Sequence, residues 1–440
     1  MEDNHKNQKR ILIIIVAFFI ASIIALMYSK LSSNEINVPA NETNNIEDIN
    51  PTEEIITENN NVENITNEKS KERNEDYAGF LDVEGTGYEE AKGKIDIAHL
   101  IDKNAGSAKE RPTPKGKQIT IAVTGLDGRI GRPSKHADAN HVIIIYIDAG
   151  EIEIVSIPRD TYVDMGYSDS SHLNKLTYCR ANKGREAYLK EVARIAKVPK
   201  INYWVEFGFS QAMGIIEFLG FKNPANTLQV LRSRKGLGGD HYQRCYTQGQ
   251  FIRQAMLSHF NKFTGVFGSV LIRAGLLFVE TNMTADVAID IVDKLEKTGF
   301  PKADLVNVKI RPPSKMKYKV YDFNDTTISQ LTKKIENFNK PRFEKETESP
   351  QPKVNVVNRL NNVIHGAIAD SAKRPAAVIS KLNPYFQQRA WMQVNNKNER
   401  IRIRNEFQTL LVNAYIKRNK PEEAEKVNAV IEAEKKLFGE

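Results

Sequence analysis

Residues 11–28, ILIIIVAFFIASIIALMY, form an eighteen-residue stretch without a charged side chain, close to the ~20 residues that cross a bilayer as a helix. The preceding HKNQKR is basic and Lys30 is the one base close behind, so positive-inside counting puts residues 1–10 in the cytoplasm. A cleaved signal peptide would have a shorter apolar region followed by a small-x-small site, and SKLSSNE is a poor one. The run therefore reads as an uncleaved, single-pass type II anchor in the cell membrane. Whatever follows residue 28 folds on the extracytoplasmic side. That placement argues against nucleic acid as a partner and against chemistry that needs an ATP supply.

Residues 31–85 are rich in Asn, Glu and Thr, poor in aromatics and without apolar period, so they cannot bury enough surface to fold. The reading is a disordered acidic spacer over residues 29–94. Its stretch 31–68 carries nine acids and no Lys or Arg; removing those charges from the chain's +8 leaves +17 on the remainder. So basic a body favours an anionic partner, and outside the membrane that means an anionic lipid surface or a phosphorylated substrate.

The folded body begins near GKQITIAVTGLDGRIG. Residues 118–124 read as a buried strand that ends at Gly125 in a Gly-rich loop. HVIIIYID (141–148) is a second strand and EIEIVSI (151–157) a third, with Ala149-Gly150 as a tight hairpin between them. In the third, Ile152, Ile154 and Ser156 point one way, Glu153 and Val155 the other. REAYLKEVARIAK is helical, with Leu189, Val192, Ile195 and Ala196 on one face. SQAMGIIEFLG takes Ser210 as N-cap and Gly220 just past its end. TLQVLRSR (227–234) reads as a strand. QFIRQAMLSHF is a helix, and TADVAIDIVDKLEKTG a helix from Thr284 to Gly299. Strands alternating with helices indicate an α/β domain over residues 95–325. NFNKPRFEKETESPQPK (337–353) is charged and contains proline, which marks a linker spanning 326–354. Residues 355–440 form a helical accessory region in which NEFQTLLVNAYIKRNKPEEAEKVNAVIEAEKK is a helical hairpin.

Several motifs fail on spacing. GLDGRIG is no GxGxxG, there is no GK[ST] loop, and GFSQA only loosely imitates a nucleophile elbow. His136, Asp138 and His141 in HADANH leave a small metal site open, beside the plainer reading of a polar loop entering a strand. What remains is charge at element ends. Asp127 and Arg129 follow the first strand, and Arg159 and Asp160 the third. In VLRSRKGLGGDHYQRCYTQ, Arg232 and Arg234 fall two apart, on one face of the expected strand, before Asp240 and Arg244. Arginine gathers in this way where phosphate or carboxylate is gripped bidentately, and neighbouring carboxylates suit a hard divalent cation.

SIPRDTYV with the upstream TGLDGR, and LRSRKGLGGDHYQR downstream, resemble the LytR-CpsA-Psr (LCP) family of cell-wall glycopolymer ligases. HLNKLTY and INYWVEF add weaker matches, and the resemblance covers about residues 117–260. It implies a mixed central sheet flanked by helices behind an N-terminal transmembrane helix, with a small helical C-terminal region. It also implies a phosphotransferase that moves a glycan from a polyprenyl-pyrophosphate carrier onto peptidoglycan, using Mg²⁺ or Mn²⁺ and an apolar pocket for the lipid tail. Carried over, it assigns Asp127, Arg159 and Asp240 to catalysis. It gives Arg129, Arg159, Arg232, Arg234, Arg244 and Gln248 to the pyrophosphate, and Asp127 and Asp138 to the metal.

Two departures stand out. The family's Arg-x-Asp-[Thr/Ser] before the second strand aligns with HADANHV either at Asp138, by residue type, or at Asn140, by spacing. Its later Arg-Gln pair is Thr247-Gln248 here, with Arg253 a little over a turn beyond Gln250 as a candidate substitute. A non-catalytic envelope scaffold of the same fold and a polyprenyl-pyrophosphate pyrophosphatase remain the rival readings. Cys179 and Cys245 read equally as a disulfide or as two separate buried residues.

Overall fold

The computed structural model describes residues 99–102, 116–301, 307–314, 317–339 and 355–440. The apolar run 11–28 and the acidic spacer lie outside these, and among the described residues no helix is long and apolar enough to cross a membrane.

Among the described residues, eight strands form two sheets. β1 (His99–Asp102) pairs antiparallel with β8 (Tyr318–Tyr321). The other six are β2 (Gln118–Arg129), β3 (Arg132–Tyr146), β4 (Glu151–Ile157), β5 (Tyr203–Phe207), β6 (Glu280–Thr281) and β7 (Val308–Arg311). They line up in the order β6-β5-β2-β3-β4-β7, with β2/β5 and β4/β7 parallel and the other pairs antiparallel. The α/β architecture expected from the alternation is present, and its six-stranded sheet is mixed. The first strand runs further than its pattern suggests. Instead of breaking at Gly125, β2 continues through GLDG with two register shifts and turns back as β3 at Ile130-Gly131. Bulges let a ladder absorb glycine and polar residues that read as a loop.

Helices cover both faces. α1 (Leu176–Asn182) and α2 (Gly184–Ala196) bury Leu176, Tyr188 and Val192 against Val142, Ile144, Val155 and Ile157. On the other face, Ile119, Ile145, Ile152 and Ile154 meet Tyr246, Ile291 and Leu295. These come from α5 (His241–His259) and α7 (Ala285–Lys297). The alternation of β4 is thus realised residue by residue. Between β5 and α5 the chain forms α3 (Phe209–Phe218) and α4 (Pro224–Arg232), and after α5 comes α6 (Gly265–Phe278). α3 is capped by Gly208, with Ser210 inside the helix and buried, which corrects its assignment as N-cap.

The segment read as a strand, 227–234, is a helix as far as Arg232. Its start signals lie upstream: Asn223 caps it by accepting from Asn226 N at 3.0 Å, and Pro224 occupies the first turn. The supposed linker also begins as structure. α8 (Asp325–Asn339) buries Ile328, Leu331 and Ile335 with Leu228 and Leu231 of α4.

The C-terminal unit holds α9 (Val356–Asp370), α10 (Pro375–Gln388), α11 (Lys397–Lys417) and α12 (Pro421–Phe438), with the expected hairpin as its last two helices. Its core centres on Trp391, Leu360, Phe407 and Ile431. The unit grips the tip of the β2–β3 hairpin. Ile130 is buried in its core, while Gln388 accepts from Gly131 N (2.7 Å) and donates to Arg129 O (3.0 Å). Gly131 has φ +70°, and a Cβ there would stand 2.2 Å from Tyr385 Cζ, so only glycine permits this approach.

Glu206 on β5 receives Arg180 of α1 (2.7 and 2.8 Å) and Arg185 of α2 (3.0 Å), tying both helices to the sheet. Burial opposes its charge, but the two guanidiniums outweigh that and hold its carboxyl below the usual range. A depressed folded pKa gives stability that is complete above the unfolded value near ~4.3 and lost as pH falls through the folded one. Glu206→Gln should therefore cost roughly 2 kcal/mol at pH 7. Its denaturation midpoint should also fall less steeply below the carboxylate range than the native one. Parallel acid profiles for the two proteins would refute this.

Candidate functional site

β4 ends at Ile157, and Pro158 withholds the next ladder donor. Thr161 N then bonds Pro158 O (3.1 Å), closing a turn that projects Arg159 and Asp160. The turn is pinned to α1: Thr177 N donates to Arg159 O (3.0 Å) and Leu176 N to Thr161 O (2.9 Å). Across from it, α5 packs tightly on β4. A Cβ on Gly249 would lie 2.6 Å from Ser156 Oγ, and this closeness draws the first turn of α5 toward the tip.

Arg159 Nη1 donates to Asp138 Oδ1 at 2.9 Å, and its Nε lies 3.6 Å from Asp160 Oδ2. Lys175 Nζ approaches Asp160 Oδ1 (3.5 Å), and His241 Nδ1 approaches Oδ2 (3.3 Å). Arg234 Nη1 meets the other face of that histidine, 3.2 Å from Nε2. Burial works against the Arg159 charge, but Asp138 and Asp160 more than compensate and raise its pKa. Arg234 is pushed down to about 10, by burial first and then by Arg244 and Arg159. Arg244 is lowered by burial and by Arg159; it is 6% exposed, and its Nε and Nη2 have no hydrogen-bond partner. Three guanidiniums therefore repel one another, and Asp138 and Asp160 offset the burial of Arg159 but not that of Arg234 and Arg244. Such a place is suited to a multiply charged anion.

The two alternatives at HADANHV occupy different places. Asp138 sits beside Arg159, whereas Asn140 is buried, accepting from Tyr188 Oη (2.7 Å) and donating to Ala137 O (3.3 Å). His136 packs edge-on against Tyr178, and buried His141 meets Ser156 Oγ at 3.1 Å. Burial pushes His141 down to about 4, with Gln248 opposing and Arg244 assisting. Among the described residues no group of three or more His, Cys, Asp or Glu could hold a metal, so a three-residue HADANH site is not formed.

Other expected members stand elsewhere. Arg232 ends α4 with its guanidinium 5.1 Å from the Phe209 ring, and Arg234 lies in the following loop, so they share no strand face. Asp240 is the N-cap of α5, its Oδ1 accepting from Gln243 N at 2.9 Å. Arg129 is exposed at the hairpin tip, and Asp127 is exposed opposite His136, without an ion pair among the described residues. Gln248 Nε2 donates to Leu231 O (3.1 Å), and Arg253 turns to Gln250 Oε1 (2.6 Å). Both cysteines are free and buried. Sequence reasoning missed His241 and Lys175. The signal for His241 was its place just after a capping Asp, where a helix's first turn projects its side chains.

Residues 86–220 match the LytR_cpsA_psr family. A Bacillus cereus protein, polyisoprenyl-teichoic acid–peptidoglycan teichoic acid transferase TagU, is 26% identical over 133 residues, covering 30% of this chain. That match spans 42% of the relative's own length. A TagU from another Bacillus cereus strain is 27% identical over 214 residues, covering 43% of this chain and 68% of the relative. The crystal structure of B. subtilis TagV superposes on 51% of this chain and 98% of its own, with 17% identity and a TM-score of 0.35. The part of this chain that matches the LytR-CpsA-Psr family, residues 86–220, carries β2 to β4 and the Arg159 turn.

Proposed function

We propose that the chain is a membrane-anchored, extracytoplasmic phosphotransferase. It moves a glycopolymer from a polyprenyl-pyrophosphate carrier onto peptidoglycan or a related envelope acceptor. The observation that carries this reading is the buried Arg244 guanidinium, whose Nε and Nη2 lack partners and whose charge is in repulsion with Arg159 and Arg234. A pyrophosphate would supply the charge these groups lack, and arginines fixed before reaction would stabilise the departing phosphate without reorganising.

The carboxylates fit a hard cation that shares its coordination with substrate phosphates. Asp138 commits Oδ1 to Arg159 and keeps Oδ2, and Asp127 is exposed nearby in chain order on the adjacent strand. Asp127 and Asp138 would hold Mg²⁺ or Mn²⁺, and the ion would offset charge developing on the phosphates. Arg159, tied to Asp138 and Asp160, would fix the carrier's orientation.

The test is incubation of the full chain, in detergent with Mg²⁺, with a prenyl-pyrophosphate-linked oligosaccharide and peptidoglycan fragments. Transfer with release of prenyl phosphate is expected, and only when acceptor is present. Binding without turnover would indicate a scaffold; release without acceptor would indicate a pyrophosphatase.

A further inference from the structure

We propose that Asp160 and His241 form the base that takes the proton from the acceptor hydroxyl; this rests on the phosphotransferase reading above. Arginine can only donate, so the contact of Arg234 Nη1 with Nε2 (3.2 Å) makes that nitrogen an acceptor. The imidazole proton is then on Nδ1, a buried nitrogen that makes no hydrogen bond and lies 3.3 Å from Asp160 Oδ2. This is the tautomer that a carboxylate-held general base requires. The ring is partly exposed, with its basic nitrogen on the arginine-lined side.

The charged groups around the ring are Asp160 and Arg159 from the β4 tip, Arg234 from the loop after α4, and Arg244 from its own helix, with Lys175 of α1 on the far side of Asp160. Burial and Arg234 lower its pKa against the pull of Asp160, which keeps the ring neutral near pH 7. Asp240 has its Oδ1 committed to capping α5.

Arg234 guards the lone pair until substrate arrives. A pyrophosphate oxyanion is a stronger acceptor than neutral imidazole, so Arg234 turns to it and Nε2 becomes available. The acceptor oxygen then bonds the glycan-side phosphorus as the bond from that phosphorus to the bridging oxygen breaks. The bonding pair leaves with prenyl monophosphate, and the hydroxyl proton passes to Nε2 and afterwards to water. His241 is the catalytic residue, and Asp160 positions it.

The experiment compares the native full chain with His241→Gln and Asp160→Asn, using the transfer assay above and prenyl pyrophosphate alone as the binding probe. Glutamine still offers Arg234 an acceptor. His241→Gln should bind the probe within about threefold of native yet transfer ~10²–10⁴-fold more slowly. Native transfer should fall on the acid side as the imidazole protonates, and the variant should lack that limb. Asp160→Asn should also slow transfer and move the limb. Native-like transfer by His241→Gln, or an unchanged acid limb in either variant, overturns the dyad alone. A native chain that binds the probe but never transfers overturns the functional reading and the dyad with it.

Discussion

Replacing Arg244 by methionine should make the protein more stable and far less able to bind pyrophosphate. The side chain is almost wholly buried, two of its donor nitrogens lack partners, and Arg159 and Arg234 oppose its charge while Asp138 and Asp160 do not make up for burial. Without ligand, the fold therefore bears the desolvation of a cation and of unpaired donors together. An unbranched apolar side chain of similar reach removes both costs, which should raise stability by about 1–3 kcal/mol. With ligand the balance reverses. Removing one partner of a buried, charge-assisted pair leaves the phosphate without its inner contact, and affinity for prenyl pyrophosphate should drop about 100- to 1,000-fold. Denaturant midpoints and calorimetric titration read the two effects separately. A variant that lost stability as well would mean that Arg244 is a structural arginine with partners in the folded core, and the anion site would lose its centre.

The sheet was legible where side chains obey one period and obscure where local chemistry competes with it. EIEIVSI is a strand of those bounds because alternation, Gly150 in the left-handed region and Pro158 all agree. TLQVLRSR misled because Thr227 to Val230 alternate polar and apolar, while the deciding signals, Asn223 and Pro224, sit before it. GLDG misled in the opposite direction, since bulges carry a ladder through residues that elsewhere end one.

The site was legible as a set of residue types but not as a geometry. Arg159, Arg234 and Arg244 do converge, and Asp138 joins them. Arg232 and Asp240 lie beside them in sequence and are drawn off by helix ends, one to the Phe209 ring and the other to a cap. Spacing cannot separate a residue that closes a helix from one that faces a ligand when both follow a glycine-rich turn. His241 escaped notice for the same reason, because its role depends on Asp160, eighty-one positions earlier in the chain.

Trp391→Ala should destabilise the chain by about 3–5 kcal/mol and loosen the β2–β3 hairpin at a distance. Trp391 is fully buried between Phe386 and Phe407, each ring centroid 5.7 Å away, and its Nε1 donates to Glu434 at 2.9 and 3.1 Å. Truncation opens a large cavity and takes a donor from a buried carboxylate. Burial already raises the pKa of that carboxylate, against Arg404 and Arg389. Trp391→Phe fills most of the space and should cost only about 1–2 kcal/mol, the share of the lost N–H. The damage travels through α10, whose Tyr385 and Gln388 hold Gly131 and Arg129, and whose neighbours bury Ile130. The same hairpin carries Asp138, whose carboxylate holds Arg159, so the helical unit fixes the strands that present that carboxylate. Hydrogen exchange should show protection falling together in 126–140 and in the C-terminal helices of Trp391→Ala. Loss confined to residues 355–440, with the hairpin still protected, would separate the two units and leave the hairpin to be held by the sheet alone.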